Sequence, residues 1–177
     1  MSVEVRKALN IFSADVIGGA RKELQRQDKN ASKALSKSLD FKVKVSKNSF
    51  QLDFFMEDYG KFIDKGVKGV GGTKADGSTW KKKKVTNSLY KYKSKRPPTQ
   101  AFNGWTIRRG IAPRSKTGQF TTRKGLLHAI ATSVYHTGLE TTNFFTKPFE
   151  KEFKKLPDQL VEAYGLTVDK LLKLAVQ

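Results

Sequence analysis

Between Val3 and Gln27 the apolar positions Val5, Leu9, Phe12, Val16, Ala20 and Leu24 recur at spacings of three and four. That period places them on one stripe and predicts an amphipathic helix. Gly18 and Gly19 weaken the helix near its middle, and suit either a bend or the close approach of another chain segment. A short second helix is expected over 30–39, with Ser32 as N-cap and Ala34, Leu35 and Leu39 on one side. The period then changes. In DFKVKVS (40–46) Phe41, Val43 and Val45 alternate with Lys42, Lys44 and Ser46, the signature of a half-buried strand. SFQLDFFME (49–57) is its expected partner, with Lys47 and Asn48 as a tight turn between them. One basic and one mixed outer row suit an antiparallel sheet covered by helices on one side only.

Helical spacing resumes at KGLLHAIATSVYHTG (124–138), where Leu126, Leu127, Ile130 and Val134 lead to Gly138 as C-cap. After LETTNFFTK, the positions Phe149, Phe153, Leu156, Leu160, Ala163 and Tyr164 form a further stripe. Pro157 is either a kink or a first-turn residue there. The tail TVDKLLKLAVQ reads as a last helical turn or two capped by Thr167. No internal repeat is evident. The expectation is an α+β fold: a small antiparallel β-sheet packed against long N-terminal and C-terminal helices, with Phe12, Phe41, Val43, Phe55, Phe145, Phe149 and Phe153 in its core.

Residues 66–125 keep no period. They hold nine of the fourteen glycines, Pro97, Pro98 and Pro113, the tetralysine Lys81–Lys84, and the aromatics Trp80, Tyr90, Tyr92, Phe102, Trp105 and Phe120. A loop of this length inside a compact domain is normally functional or disordered, and the aromatics argue against plain disorder. With 177 residues the chain fits one domain, so 66–125 reads as a basic, aromatic-containing insertion or arm within a single α+β domain spanning 1–177.

Charge sharpens that picture. The formal net charge is +19. Residues 1–65 carry 13 basic and 9 acidic side chains, residues 66–125 carry 16 and 1, and residues 126–177 carry 6 and 6. The excess therefore sits in the central segment, which a uniformly basic coating protein would not show. Absence of cysteine excludes disulfides, thiolate metal sites and cysteine nucleophiles. The start has dispersed charges and reads as a helix, not a signal peptide. No run approaches the roughly 18 apolar residues of a membrane span, and a soluble chain made in the cytoplasm is expected.

The loop DYGKFIDKGVKGVGG (58–72) looks at first like a phosphate cradle. Gly66 and Gly71 have the phosphate-loop spacing, but Gly72 stands where Lys is needed. The dinucleotide pattern fails too, because Gly69 and Gly71 are followed by Lys74. These glycines fit turns better. His128 and His136 lie eight apart on one helix without further ligands, so no metal site is expected. No nucleophile, base and orienting group assemble, so no catalytic residue, no cofactor and no enzymatic activity are expected.

The basic segment admits three readings. As a nucleic-acid site, Lys81, Lys82, Lys83, Lys84, Lys91, Lys93, Lys95 and Arg96 would neutralise phosphates while Trp80, Tyr90 and Tyr92 stack on bases. As an assembly arm, the aromatics, Phe102 and Trp105 included, would fill pockets on a neighbour. Its charges, Arg108 and Arg109 among them, would then meet an acidic surface. As a solvated loop it would do neither.

The order of elements resembles the tail-completion or head-tail connector (neck) proteins of tailed bacteriophages. The residues that carry the resemblance are YGKFIDKG (59–66), matching an aromatic-rich strand end of the form Tyr-Gly/Ala-x-Phe/Tyr-Ile/Val-Asp/Glu-x-Gly, and FFTKPFEKEF (144–153), matching an aromatic-x-x-Pro-Phe opening of the last helix. ASKALSKSLDFKVKV sits at the family's entry from helix to strand. The likeness covers roughly 1–66 and 126–165. It implies structural roles for Tyr59, Gly60, Phe62, Gly66, Phe145, Pro148 and Phe149, with Tyr59 and Phe62 anchoring the loop to the core.

The resemblance also implies a homo-oligomeric ring in the virion neck. Such a ring joins a portal or adaptor to tail proteins around an axial DNA channel, with no membrane partner. The departure is the insertion, for which the compact members have a shorter connection. A channel that passes DNA should not grip it, so the expectation is that the charge is met by acidic neighbours or faces away from the axis, with DNA contact as an open question. The rival is a basic nucleic-acid-binding protein that uses 66–125.

Overall fold

The computed structural model describes residues 3–29, 32–45, 50–115 and 117–160. Mixed helix and sheet divide into two compact units. The first holds the described residues up to Lys29, Ala34–Glu57, and those from Phe144 onward; the second holds 58–143 with the described part of 30–33. Where the sequence suggests an insertion into one domain, 66–125 thus groups with the flanking residues 58–65 and 126–143.

In the first unit the N-terminal stripe forms helix α1, Val3–Arg26. Val5, Leu9, Phe12, Val16, Ala20 and Leu24 are all buried, together with Ser13 and Ile17. Ser13 satisfies its hydroxyl by donating to Leu9 O at 2.7 Å, which removes the cost of a buried polar group. Helix α2 is short, Ala34–Ser38, with Leu35 buried. Arg21 ties α1 to it, donating to Ser36 O and Leu39 O at 3.0 Å each.

Strands β1 (Asp40–Val45) and β2 (Phe50–Phe55) pair antiparallel, with Phe41 opposite Phe54 and Val43 opposite Leu52. Opposed residues share a face, so the inner row of β2 includes Leu52 and Phe54. The expected turn at Lys47 and Asn48 lies outside the described residues.

The core of this unit joins Val5, Leu9, Phe12, Val16 and Leu156, with Val43, Leu52, Phe54, Phe145, Phe149 and Leu160 packed around them. Phe12, Phe54, Phe145 and Phe149 meet edge to face at 5.3–6.4 Å between centroids, a favoured aromatic geometry. Three expected core residues fall outside this cluster, and of these Phe41 is half-buried opposite Phe54. Phe55 is 49% exposed and Phe54 takes its place, because Leu52 and Phe54 share the row that packs on the core and the second phenylalanine falls on the outer row. Phe153 is 52% exposed although it stacks on Phe149. Helix α6, Thr146–Phe153, ends there, and the chain is helical again over 156–160. Pro157 is therefore a first-turn residue, where its missing N–H costs nothing. Ala163, Tyr164 and Thr167 lie outside the described residues.

In the second unit, residues 59–66 form a helical turn instead of the expected strand end. Helix α3 is Gly60–Lys65, and Gly66 follows at φ +72°. Phe62 and Ile63 favour strands by propensity, but three residues far along the chain satisfy the carbonyls that so short a helix leaves open. Thr142 Oγ1 donates to Ile63 O at 2.7 Å, the Asn143 amide to Asp64 O at 2.9 Å, and Thr141 Oγ1 to Lys65 O at 2.9 Å.

Strand β3 (Val67–Lys68) then pairs antiparallel with β4 (Gly138–Leu139). A 3-10 turn at Thr99–Phe102 leads into helix α4, Asn103–Arg108. Helix α5, Arg123–Thr137, starts on Thr122, whose hydroxyl accepts from the Gly125 amide at 3.2 Å. It ends on Gly138 at φ +86°, the C-cap expected from sequence. No helix among the described residues is long and apolar enough to cross a membrane.

Candidate partner-binding surface of the second unit

The glycine loop lays the basic segment down on α5 and β4. Backbone bonds run from the Val70 amide to Tyr135 O at 3.1 Å and from the Gly71 amide to His136 O at 2.9 Å. A Cβ on Gly66 would lie 2.7 Å from Leu139 O and 2.8 Å from Thr141 N, so only glycine allows this approach. The segment that follows is fastened in turn. The Trp80 amide donates to Gly72 O at 2.9 Å, the Lys83 amide to Thr137 O at 2.8 Å, and the Thr141 amide to Lys84 O at 3.3 Å. Buried Ser88 closes the run by donating to Gly66 O at 2.7 Å. Around it the Lys68 amide donates to Tyr90 O at 2.9 Å and the Tyr92 amide to Lys68 O at 3.0 Å.

These bonds decide where the candidate side chains go. Trp80 lies flat on His136, with ring centroids 5.0 Å apart and planes 5° from parallel. Lys74 Nζ also lies over the Trp80 ring, 5.2 Å from its centroid. Tyr90 packs edge-on against Phe62 at 4.8 Å, and Tyr92 lies tilted against Tyr135 at 5.9 Å. Burial pushes the Tyr92 phenol above its ordinary range, because the charged form would lose water. All three rings proposed for stacking or plugging are thus engaged within their own unit.

Phe102 is half-buried, whereas Trp105 is 40% exposed beside exposed Arg108 and Arg109. Tyr59 is 41% exposed and contributes its carbonyl to the start of α3, accepting from the Phe62 and Ile63 amides. Of the two residues expected to anchor this loop, Phe62 does so through its ring.

Lys81, Lys82, Lys83, Lys84, Lys91, Lys93 and Lys95 are all exposed. Arg96 is held more closely: its guanidinium lies 5.9 Å over the Tyr135 ring, and Nη1 reaches His128 Nε2 at 3.3 Å and Thr132 Oγ1 at 3.4 Å. His136 thus has aromatic neighbours and His128 an arginine neighbour.

Sequence reasoning missed Arg123. Its Nε donates to Asn103 Oδ1 at 2.7 Å and its Nη2 to the fully buried Thr106 Oγ1 at 3.1 Å, clasping α4 to the start of α5. A polar residue in so short a helix, twenty positions from its partner, gives no periodic signal. The one carboxylate of 66–125, Asp76, is held below the usual range by hydrogen bonds from the Ser78 hydroxyl and amide. No cluster of three or more His, Asp or Glu side chains forms among the described residues.

The unit therefore defines a class of surface: an ordered basic platform in which Trp80, Tyr90 and Tyr92 pack within the unit while Trp105 and Phe120 stay exposed. Comparison with protein-family models, curated protein sequences and solved structures finds no match.

Proposed function

We propose that the chain is a structural subunit of the neck of a tailed bacteriophage, a tail-completion or head-tail connector protein. Identical copies form a ring between a portal or adaptor and the tail, around the DNA channel. The observation that carries this reading is that both motif segments serve packing. Residues 59–66 form a helical turn whose carbonyls are taken by Thr141, Thr142 and Asn143. Residues 144–153 open α6 and seat Pro148 against Gly19 of α1, where an added Cβ would lie 2.8 Å from the proline ring.

Apolar side chains remain for neighbours. Phe50, Phe55 and Phe153 are exposed on the first unit, and Trp105, Ile107 and Phe120 on the second. Exposed aromatics beside arginines have the composition of interface anchors, and in a ring they would form head-to-tail contacts. The 66–125 segment acts in this reading as an assembly arm that extends the compact members' design.

The test is mass by light scattering on purified, nuclease-treated protein, at low salt and at roughly 0.5 M salt, where exposed charge pairs are strongly screened. A single oligomer free of nucleic acid at both salts, annular by electron microscopy, is the expected result. A monomer that carries nucleic acid only at low salt would overturn the ring in favour of a free nucleic-acid-binding protein.

A further inference from the structure

Lys68 of β3 stands in parallel register with Lys91. Residues opposed across a ladder project to the same face, and like charges placed so are destabilising. Both are exposed. Tyr90 and Tyr92 turn inward onto Phe62 and Tyr135, so Lys91 and Lys93 point outward, and exposed Lys95 follows just past the bend at Ser94. Among the described residues none of these lysines has an ion-pair partner. Asp76 is occupied by Ser78. The exposed Lys81–Lys84 run is fastened beside the same small sheet, to Thr137 at the end of α5 and to Thr141 just past β4. A fixed row of uncompensated ammonium groups calls for an external polyanion.

The geometry points to a site, formed by Lys68, Lys91, Lys93 and Lys95 and supported by Lys81–Lys84, that binds the phosphate backbone of duplex DNA without reading its sequence. Three features favour this over an acidic protein or a single strand. Lysine is depleted in protein–protein interfaces. Protein–DNA interfaces are far more positive. Trp80, Tyr90 and Tyr92, the rings nearest these lysines in sequence that single-strand binding would use for base stacking, are packed against the unit's own residues. The inference goes beyond the connector reading and does not depend on oligomeric state. It is compatible with a channel, because contacts made to phosphate alone let a protein slide along DNA.

The test is fluorescence anisotropy with nuclease-treated full-length protein, using short labelled duplexes of two unrelated sequences and the matching single strand, over a salt series. One variant replaces Lys68, Lys91, Lys93 and Lys95 by Gln. A charge-matched control replaces Arg6, Lys7, Lys42 and Lys44, exposed residues of the first unit. Circular dichroism checks that both fold. Four phosphate contacts predict a slope of log affinity against log salt of about −3.6, a loss on the order of 100-fold between about 50 and 200 mM.

The expected result is equal binding of both duplexes, weaker binding of the single strand, and loss of most of the slope and at least about tenfold affinity in the first variant only. Equal losses in both variants would show undirected charge and overturn the site. So would preference for the single strand, or displacement by polyglutamate as effective, charge for charge, as by unlabelled duplex.

Discussion

At the scale of single residues the glycines divide sharply by what surrounds them. Gly66 sits at φ +72° with the Leu139 carbonyl and the Thr141 amide where a Cβ would go, a region of backbone space that is nearly glycine's alone. Gly66→Ala should cost at least about 2 kcal/mol, read from the denaturation midpoint. Gly18 lies inside α1 with nothing within 4 Å of a built Cβ, so Gly18→Ala should stabilise by about 0.5–1 kcal/mol. Equal effects of the two changes would contradict the close approach at Gly66.

Tyr92 offers a pH-dependent counterpart. Its folded pKa is raised by burial, so the folded state keeps the phenolic proton longer than the unfolded chain does. The stability tied to that proton is fully present below the ordinary tyrosine value of about 10 and is lost as pH rises through the folded value. A near-ultraviolet titration should show one tyrosine ionising later than that range, and Tyr92→Phe should remove the late step.

At the scale of elements, what sequence makes visible is what repeats. The stripe of α1, the strands β1 and β2, and α5 with its Gly138 cap follow from local period and cap chemistry. The buried positions of α1 follow from the same pattern, whereas α5 buries Leu127 and Ala131 and leaves Leu126, Ile130 and Val134 half-buried. The doublet Phe54–Phe55 is where the period is ambiguous, and the register against β1 decides it. Phe54→Ala should therefore cost about 2–4 kcal/mol, as a truncation in an aromatic cluster, and Phe55→Ala within about 0.5 kcal/mol, as a surface change. Chemical denaturation of the two variants measures the difference, and a larger loss at Phe55 would require the hairpin to present its other face.

What sequence hides are contacts without a period: the capping of α3 by Thr141, Thr142 and Asn143, the Arg123 clasp on Asn103 and Thr106, and the stacking of Trp80 on His136. Each joins residues 17 to 79 positions apart through a single bond or ring contact. The basic and aromatic content of 66–125 was legible as a candidate site. The inward turn of Tyr90 and Tyr92 was not, because they find their direction only when Lys68 fixes the register.

At the scale of the whole molecule the unequal distribution of charge has a thermodynamic consequence that stability measurements can read. Sixteen basic side chains and one acidic one lie between 66 and 125, and net charge of one sign destabilises a compact state through self-repulsion. Screening shortens with salt, from about 10 Å at 0.1 M to about 3 Å at 1 M, so the repulsion should fade over that range. A chain whose surface charges were mostly paired would respond the opposite way, since salt weakens exposed ion pairs. The melting temperature should therefore rise between low salt and roughly 0.5 M sodium chloride, by more than in the variant lacking the charges of Lys68, Lys91, Lys93 and Lys95. That variant should also melt higher than the parent at low salt, because the like-charged pair held in register between Lys68 and Lys91 is relieved. A melting temperature that falls with salt would mean that these lysines are already compensated within the chain, and would remove the physical reason for seeking their counter-charge on a partner.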